Sequence, residues 1–183
     1  GRLAHPVERR AIAVLDGYRS ALDRMRKSAP NSIETKFQEA QLAFVDNNLK
    51  VARDLTSRLL TFTPESPAVL ELYGAILYQQ NALGTAESQL SKALQYSPNA
   101  ASTRQLLARV YLKQGKPDRA LRTLQPLLSE SARPTTITLA MTAESHLMMG
   151  APAKAEAFFR RAAEAEPKNT QLKTSIALAK VAQ

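Results

Sequence analysis

The chain has 183 residues, a formal net charge of +9, and 44% apolar content, enough to bury the core of one domain or a short repeat array. It contains no cysteine, which excludes a disulfide framework, a thiolate zinc site and a cysteine nucleophile. Six glycines and 5% aromatics speak against a β-sandwich or barrel, while the dominant Ala, Leu, Gln, Lys, Arg and Glu favour helix.

The first predicted element is "PVERRAIAVLDGYRSALDRMRK" (6–27). It sets Val7, Ala11, Val14, Leu15, Tyr18, Leu22 and Met25 along one amphipathic helix. Residues 1–30 carry seven cations (Arg2, Arg9, Arg10, Arg19, Arg24, Arg26 and Lys27) against Glu8, Asp16 and Asp23, which is +4 of the total. Elsewhere the positive residues are scattered, as on solvated helix faces. No stretch approaches the ~20 apolar residues of a membrane span, and no signal-peptide pattern opens the chain. Beginning at Gly1 and stopping in mid-pattern, the sequence reads as an excerpt of a longer protein.

Beyond residue 30 the chain repeats. Pro30, Pro64 and Pro98 are 34 residues apart, and the series runs less regularly through Pro134 to Pro167, with a slip near 131–135. A fixed period of this size is the signature of a solenoid. With proline at position 32 of each unit, four units result: 33–66, 67–100, 101–135 and 136–169. Position 8 then holds Ala40, Gly74, Ala108 and Ala143, and position 20 holds Ala52, Ala86, Ala120 and Ala155. Position 24 is apolar at Leu90, Leu124 and Phe159, with Thr56 the exception.

Each unit contains two apolar-periodic stretches joined by a polar turn, such as "PAVLELYGAILYQQ" and "GTAESQLSKALQYS". The small residues let two antiparallel helices approach to ~8–10 Å. Proline at position 32 ends the second helix, and Gly115 and Gly150 at position 15 suit the turn within the unit. Pro126 falls near the end of a second helix, which it either bends or cuts short at about residue 125. Residues 1–32 form a degenerate repeat or an N-terminal cap, and 170–183 the first helix of a fifth unit or a C-terminal cap, with Ala177 at position 8.

No catalytic constellation accompanies this framework. The two histidines, His5 and His146, are far apart in sequence, and His146 sits at position 11, where Tyr111 stands in the third unit. Glu164 and Glu166 lie two residues apart near a helix end and read as solvation. Phosphate loops, nucleophile elbows, zinc spacings and calcium loops are missing, so neither cofactor nor metal is expected.

The aligned small residues and the proline at position 32 resemble the tetratricopeptide repeat over essentially 33–183. That resemblance implies an all-α, right-handed α-solenoid without catalytic activity, lined on its concave side by the first helix of each unit. Ligand contacts in this family fall at positions 2, 5, 9, 12 and 13. Carried onto this chain they are Glu34, Phe37, Gln41 and Phe44, then Glu71, Tyr78 and Gln79. The third and fourth units offer Gln105, Arg109 and Lys113, then Glu144 and Met148. The strip is aromatic at one end and polar to basic in the middle, suited to an extended peptide or a partner helix. The lysine and asparagine with which one subclass clamps a terminal carboxylate are absent: positions 5 and 9 read Phe37/Gln41, Glu71/Ala75, Gln105/Arg109 and Ala140/Glu144.

Within the family, "STRQLLARVYLKQGKPDRALRTLQPLL" and "AEAFFRRAAEAEPKN" resemble the tetratricopeptide lipoproteins of Gram-negative exopolysaccharide export and of the linked exosortase (PEP-CTERM) sorting system. That likeness implies a periplasmic, outer-membrane-associated parent; a cytoplasmic one is the alternative. Two further readings stand beside the scaffold. One is nucleic-acid binding through the basic surface, although the few aromatics offer little to stack on. The other is self-association through the solenoid ends.

Overall fold

The structure is a computed structural model that describes residues 6–129 and 133–183, and of residues 6–12 the backbone alone. Arg2 and His5, and the side chains of Val7, Glu8, Arg9, Arg10 and Ala11, lie outside the described residues. Within them the chain forms ten α-helices and no strand.

A long first helix, α1 (Pro6–Ser28), precedes four hairpins. These pair α2 (Ile33–Val45) with α3 (Leu49–Phe62), and α4 (Pro67–Gln79) with α5 (Leu83–Tyr96). They continue with α6 (Ala101–Lys113) and α7 (Pro117–Leu124), then α8 (Thr136–Met148) and α9 (Pro152–Ala165), and α10 (Thr170–Val181) ends the array. Each helix packs on its neighbours in sequence, and α2, α4, α6 and α8 also touch one another in succession. This inner row is what curves a stack of hairpins into a solenoid, with the first helix of each pair on the concave side.

Proline makes the seams by a repeated local mechanism. Pro30, Pro64, Pro98 and Pro167 each occupy the second position of a four-residue turn closed by a backbone bond. Ser32 N–H donates to Ala29 (3.2 Å), Ser66 to Thr63 (3.2 Å), Ala100 to Ser97 (3.2 Å) and Asn169 to Glu166 (3.0 Å). Proline's fixed φ suits that position, and its ring pushes the preceding residue out of the helical region. Thr63, Ser97 and Glu166 accordingly stand at φ −132°, −134° and −131°. The fourth residue of the turn is the N-cap of the next helix: Ser32 accepts from Thr35 N–H, and Asn169 from Gln171 and Leu172 N–H. One proline thus ends a helix and aims its successor.

The turns inside the hairpins are equally regular. Asn47, Asn81, Gly115 and Gly150 all adopt left-handed backbone, at φ 57°, 60°, 71° and 70°. The residue after each donates to the carbonyl five back: Asn48 to Ala43, Ala82 to Leu77, Lys116 to Tyr111 and Ala151 to His146, at 2.8–2.9 Å. These are Schellman closures, and asparagine is the side chain that best replaces glycine in them.

Ala40, Ala108 and Ala143 pack with Ala52, Ala120 and Ala155 in the hairpin cores, and all six are fully buried. Two sequence expectations, at Val14 and Ala177, are corrected, and at Pro126 the shorter-helix alternative holds. Val14 is 67% exposed, because the packed line of α1 runs through half-buried Leu15, Tyr18 and Met25 and buried Leu22, a turn's fraction away. Pro126 does not bend a full helix: α7 stops at Leu124 and a single 3-10 turn, Gln125–Leu127, follows. Ala177 is exposed while Leu172 and Ala179 are buried. Position 8 packs on the second helix of its own hairpin, and among the described residues none follows α10.

Candidate functional site

The inner helices place the predicted contact residues along one strip, but they do not leave them equally free. At its N-terminal end a recess of about 410 Å3 opens between α2 and α4 and reaches α6. Phe37, Phe44 and Val45 form one wall, Ala68, Leu72 and Ala75 the other, and Leu106 the far end. Phe37 and Phe44 are half-buried: each packs into the core beneath while turning an edge to the recess. Gln41 and Glu71 supply its polar groups. The walls therefore offer a large apolar area and little charge, which suits an apolar side chain.

Position 5 does not contribute a free polar group in the second and third hairpins. Glu71 accepts hydrogen bonds from Thr103 Oγ1 and from Ser102 Oγ (3.2 Å), bridging α4 to α6. Gln105 Nε2 donates to Thr135 Oγ1 (3.0 Å) and Thr138 Oγ1 (2.9 Å), bridging α6 to α8. Both side chains tie one hairpin to the next.

The middle of the strip is cationic. Lys113 Nζ stands 4.9 Å from the centre of the Tyr78 ring, a cation–π contact across the α4–α6 gap. Arg109, one turn earlier on the same face, is exposed and has no ion pair among the described residues. Gln79 borders this region on α4, and Glu144 and the half-exposed Met148 follow on α8. An occupant lying across the strip meets an apolar recess, then positive charge, then a mixed end. Val45, Ala68, Leu72 and Leu106 were not named from the sequence; Leu72 and Leu106 share position 6, a periodicity that marks them as wall residues.

Away from the concave side, many cations are neutralised where they stand. Arg19 meets Asp46 at 2.8 Å, and Arg26 and Lys36 meet Glu39 at 2.9 and 3.0 Å. Lys116 and Arg119 meet Glu87 at 3.3 and 2.8 Å. Burial disfavours the charged form of Glu39 and of Glu87, but donated hydrogen bonds outweigh it and hold both below the ordinary carboxylate range. All of these pairs but Lys36–Glu39, which lies within α2, join neighbouring elements, and together they thin out the basic surface a polyanion would need. Arg104, the cation before "QLLA", donates to the Pro98 carbonyl (2.8 and 3.1 Å) and the Thr123 carbonyl (3.3 Å), and so secures a seam.

His146 is half-buried and stacks on Phe158, with ring centres 5.5 Å apart. Burial and then the nearby Lys154 lower its pKa. Among the described residues no three His, Asp or Glu side chains group to hold a metal ion, and no helix is long and apolar enough to cross a membrane.

The tetratricopeptide repeat family matches residues 77–137. No curated protein matches the chain. Solved structures do. The thermophilic TPR protein TTC0263 of Thermus thermophilus is 25% identical over 93% of this chain and 94% of its own, with a TM-score of 0.70. MamA is 18% identical over 93% and 99%, with a TM-score of 0.70. YrrB, described as a TPR protein with an unusual peptide-binding site, is 16% identical over 88% and 82%, with a TM-score of 0.71. The chain folds as a tetratricopeptide-repeat α-solenoid, and residues 77–137 are the part that matches the repeat family itself.

Proposed function

We propose that the chain is a non-catalytic protein-interaction scaffold that holds an extended peptide or partner helix in its concave groove. The observation that carries this reading is the apolar recess between α2 and α4 lying beside Arg109 and Lys113 on the same inner face. Apolar side chains seated there exclude water from a small area, and the two cations favour an acidic or polar continuation of the same ligand. The similarity to YrrB, whose description names a peptide-binding site, supports the same reading.

Panning displayed random peptides against the chain tests it. Selected peptides should lose binding to Arg109→Glu/Lys113→Glu and to Phe44→Glu, with helicity and melting of the cationic pair variant unchanged. Binders that survive all of these substitutions would place the site elsewhere. Tight, steeply salt-dependent binding of a single-stranded oligonucleotide would instead favour the nucleic-acid reading. A mass that grows with concentration in light scattering would favour self-association.

The finer reading is an envelope scaffold: a segment of a periplasmic, outer-membrane-associated protein serving exopolysaccharide export and exosortase-linked sorting. Its support is the likeness of 102–128 and the following "AEAFFRRAAEAEPKN" to the repeats of those lipoproteins. The coding sequence upstream of Gly1 tests it. A signal peptide with a lipid-attachment cysteine is the expected result, and an upstream region without one would move the protein to the cytoplasm.

A further inference from the structure

We infer that the first hairpin binds a small aliphatic carboxylate in a pocket separate from the recess of the concave groove. A cavity of about 260 Å3 lies between the first turn of α2 and the last turns of α3. Its walls are Ile33, Leu55, Leu59 and Phe62, and its polar rim is Asn31, Lys36 and Arg58. It shares no lining residue with the groove recess.

The cavity opens beside position 4, where this hairpin departs from the other three. Position 4 is filled by buried Leu70 and Leu139 in the second and fourth hairpins. In the third, Arg104 fills it, bound to the Pro98 and Thr123 carbonyls. Here the residue is Lys36, whose Nζ turns along its own helix to Glu39 at 3.0 Å and vacates the seat. The empty seat leaves the apolar walls without a partner, and Phe62 and Ile33 stand 75% and 49% exposed at the mouth.

The rim decides the chemistry of the occupant. No acidic residue lines the cavity. Lys36 is engaged with Glu39, which also receives Arg26, whereas Arg58 has no ion pair or side-chain hydrogen bond among the described residues. A guanidinium beside an apolar recess recognises a carboxylate through two parallel N–H···O bonds while the tail replaces water inside. The volume falls just short of the ~300 Å3 at which pockets for drug-sized molecules begin, so the ligand is small, of about eight carbons in all.

The test is a titration of the whole chain with octanoate, followed through the methyl resonances of Ile33, Leu55 and Leu59. Saturable shifts confined to these residues are expected, with octanol weaker by roughly tenfold or more because it cannot pair with Arg58. Arg58→Glu should weaken octanoate by a similar factor without changing the melting temperature, since Arg58 is exposed. Lys36→Leu should refill the seat, abolish binding and raise the melting temperature. The inference fails if wild type shows no saturable shift at about 10 mM octanoate, a level at which even weak ligands register. It also fails if octanol matches octanoate, or if Arg58→Glu binds as wild type does. Preference for a peptide ending in Ala-Ala-Leu over octanoate would replace the small free acid with a protein terminus.

Discussion

The side-chain amide of Gln105 donates to the hydroxyl of Thr138, 33 residues later, at 2.9 Å, and so joins position 5 of one hairpin to position 3 of the next. The same rung recurs between Glu71 and Thr103. At the two ends of the array these positions are apolar: Phe37 with Val69, and Ala140 with Leu172, each pair within one hydrophobic cluster. The middle of the solenoid is thus keyed by hydrogen bonds and the ends by packing. A lone Thr138→Val leaves the Gln105 amide short of an acceptor, and should cost about 1 kcal/mol. The double change Gln105→Leu/Thr138→Val, which restores an apolar rung, should recover part of that. Urea unfolding of the two singles and the double measures the coupling; strictly additive losses would mean that the rung carries no specific energy.

Gly74 occupies position 8, where the other hairpins have alanine, for a reason visible in its surroundings. A Cβ there would come within 2.5 Å of Leu90 Cγ and 2.6 Å of Leu90 Cδ2. Leu90 is fully buried, so moving it aside means displacing its packed neighbours. Gly74→Ala should therefore destabilise by roughly 1–3 kcal/mol through overpacking, although alanine is the better helix former. Trimming the neighbour in Gly74→Ala/Leu90→Val should return much of the loss in a thermal melt. An unchanged melting temperature for the single variant would show that α4 and α5 shift apart freely.

Asn47 and Asn81 hold the same left-handed turn position that Gly115 and Gly150 hold later in the chain. Replacing Asn81 by alanine forces a Cβ residue without asparagine's compensating polarity into that region, at a cost of about 1 kcal/mol. Asn81→Gly should be neutral or slightly stabilising. Comparison of the two variants by chemical denaturation isolates the backbone effect, because the side chain at 81 is exposed in either case.

The architecture was legible because it rests on residues whose reason is local or periodic. Ala52, Ala86, Ala120 and Ala155 recur at one period and are all fully buried, and each seam proline acts through its own φ and its immediate neighbour. The left-handed asparagines were harder to read, since asparagine also caps helices and faces solvent without any such requirement. Glu71–Thr103 and Gln105–Thr138 were not legible at all: each depends on how closely residues 32 and 33 apart approach, which no local pattern reports. The small-acid pocket of the first hairpin was not legible, because it needed Lys36 to be seen turning away to Glu39.

His146 gives the fold a pH dependence of known sign. Burial, reinforced by Lys154, lowers its pKa below the ordinary 6.5, so the folded chain binds this proton less readily than the unfolded one. Stability from this residue is therefore fully present above about pH 6.5 and declines as the pH falls through its lowered value. Glu39, Glu87, Glu156 and Glu166 are depressed from 4.5, so their contributions fade at lower pH, below that figure, and the two effects separate on the pH axis. His146→Tyr, which installs the residue found at this position in the third hairpin, should remove the decline that sets in below about pH 6.5 and leave the acidic limb in place. Melting temperatures of the two proteins across that range are the check. Parallel curves would mean that protonated His146 is accommodated against Phe158 without penalty.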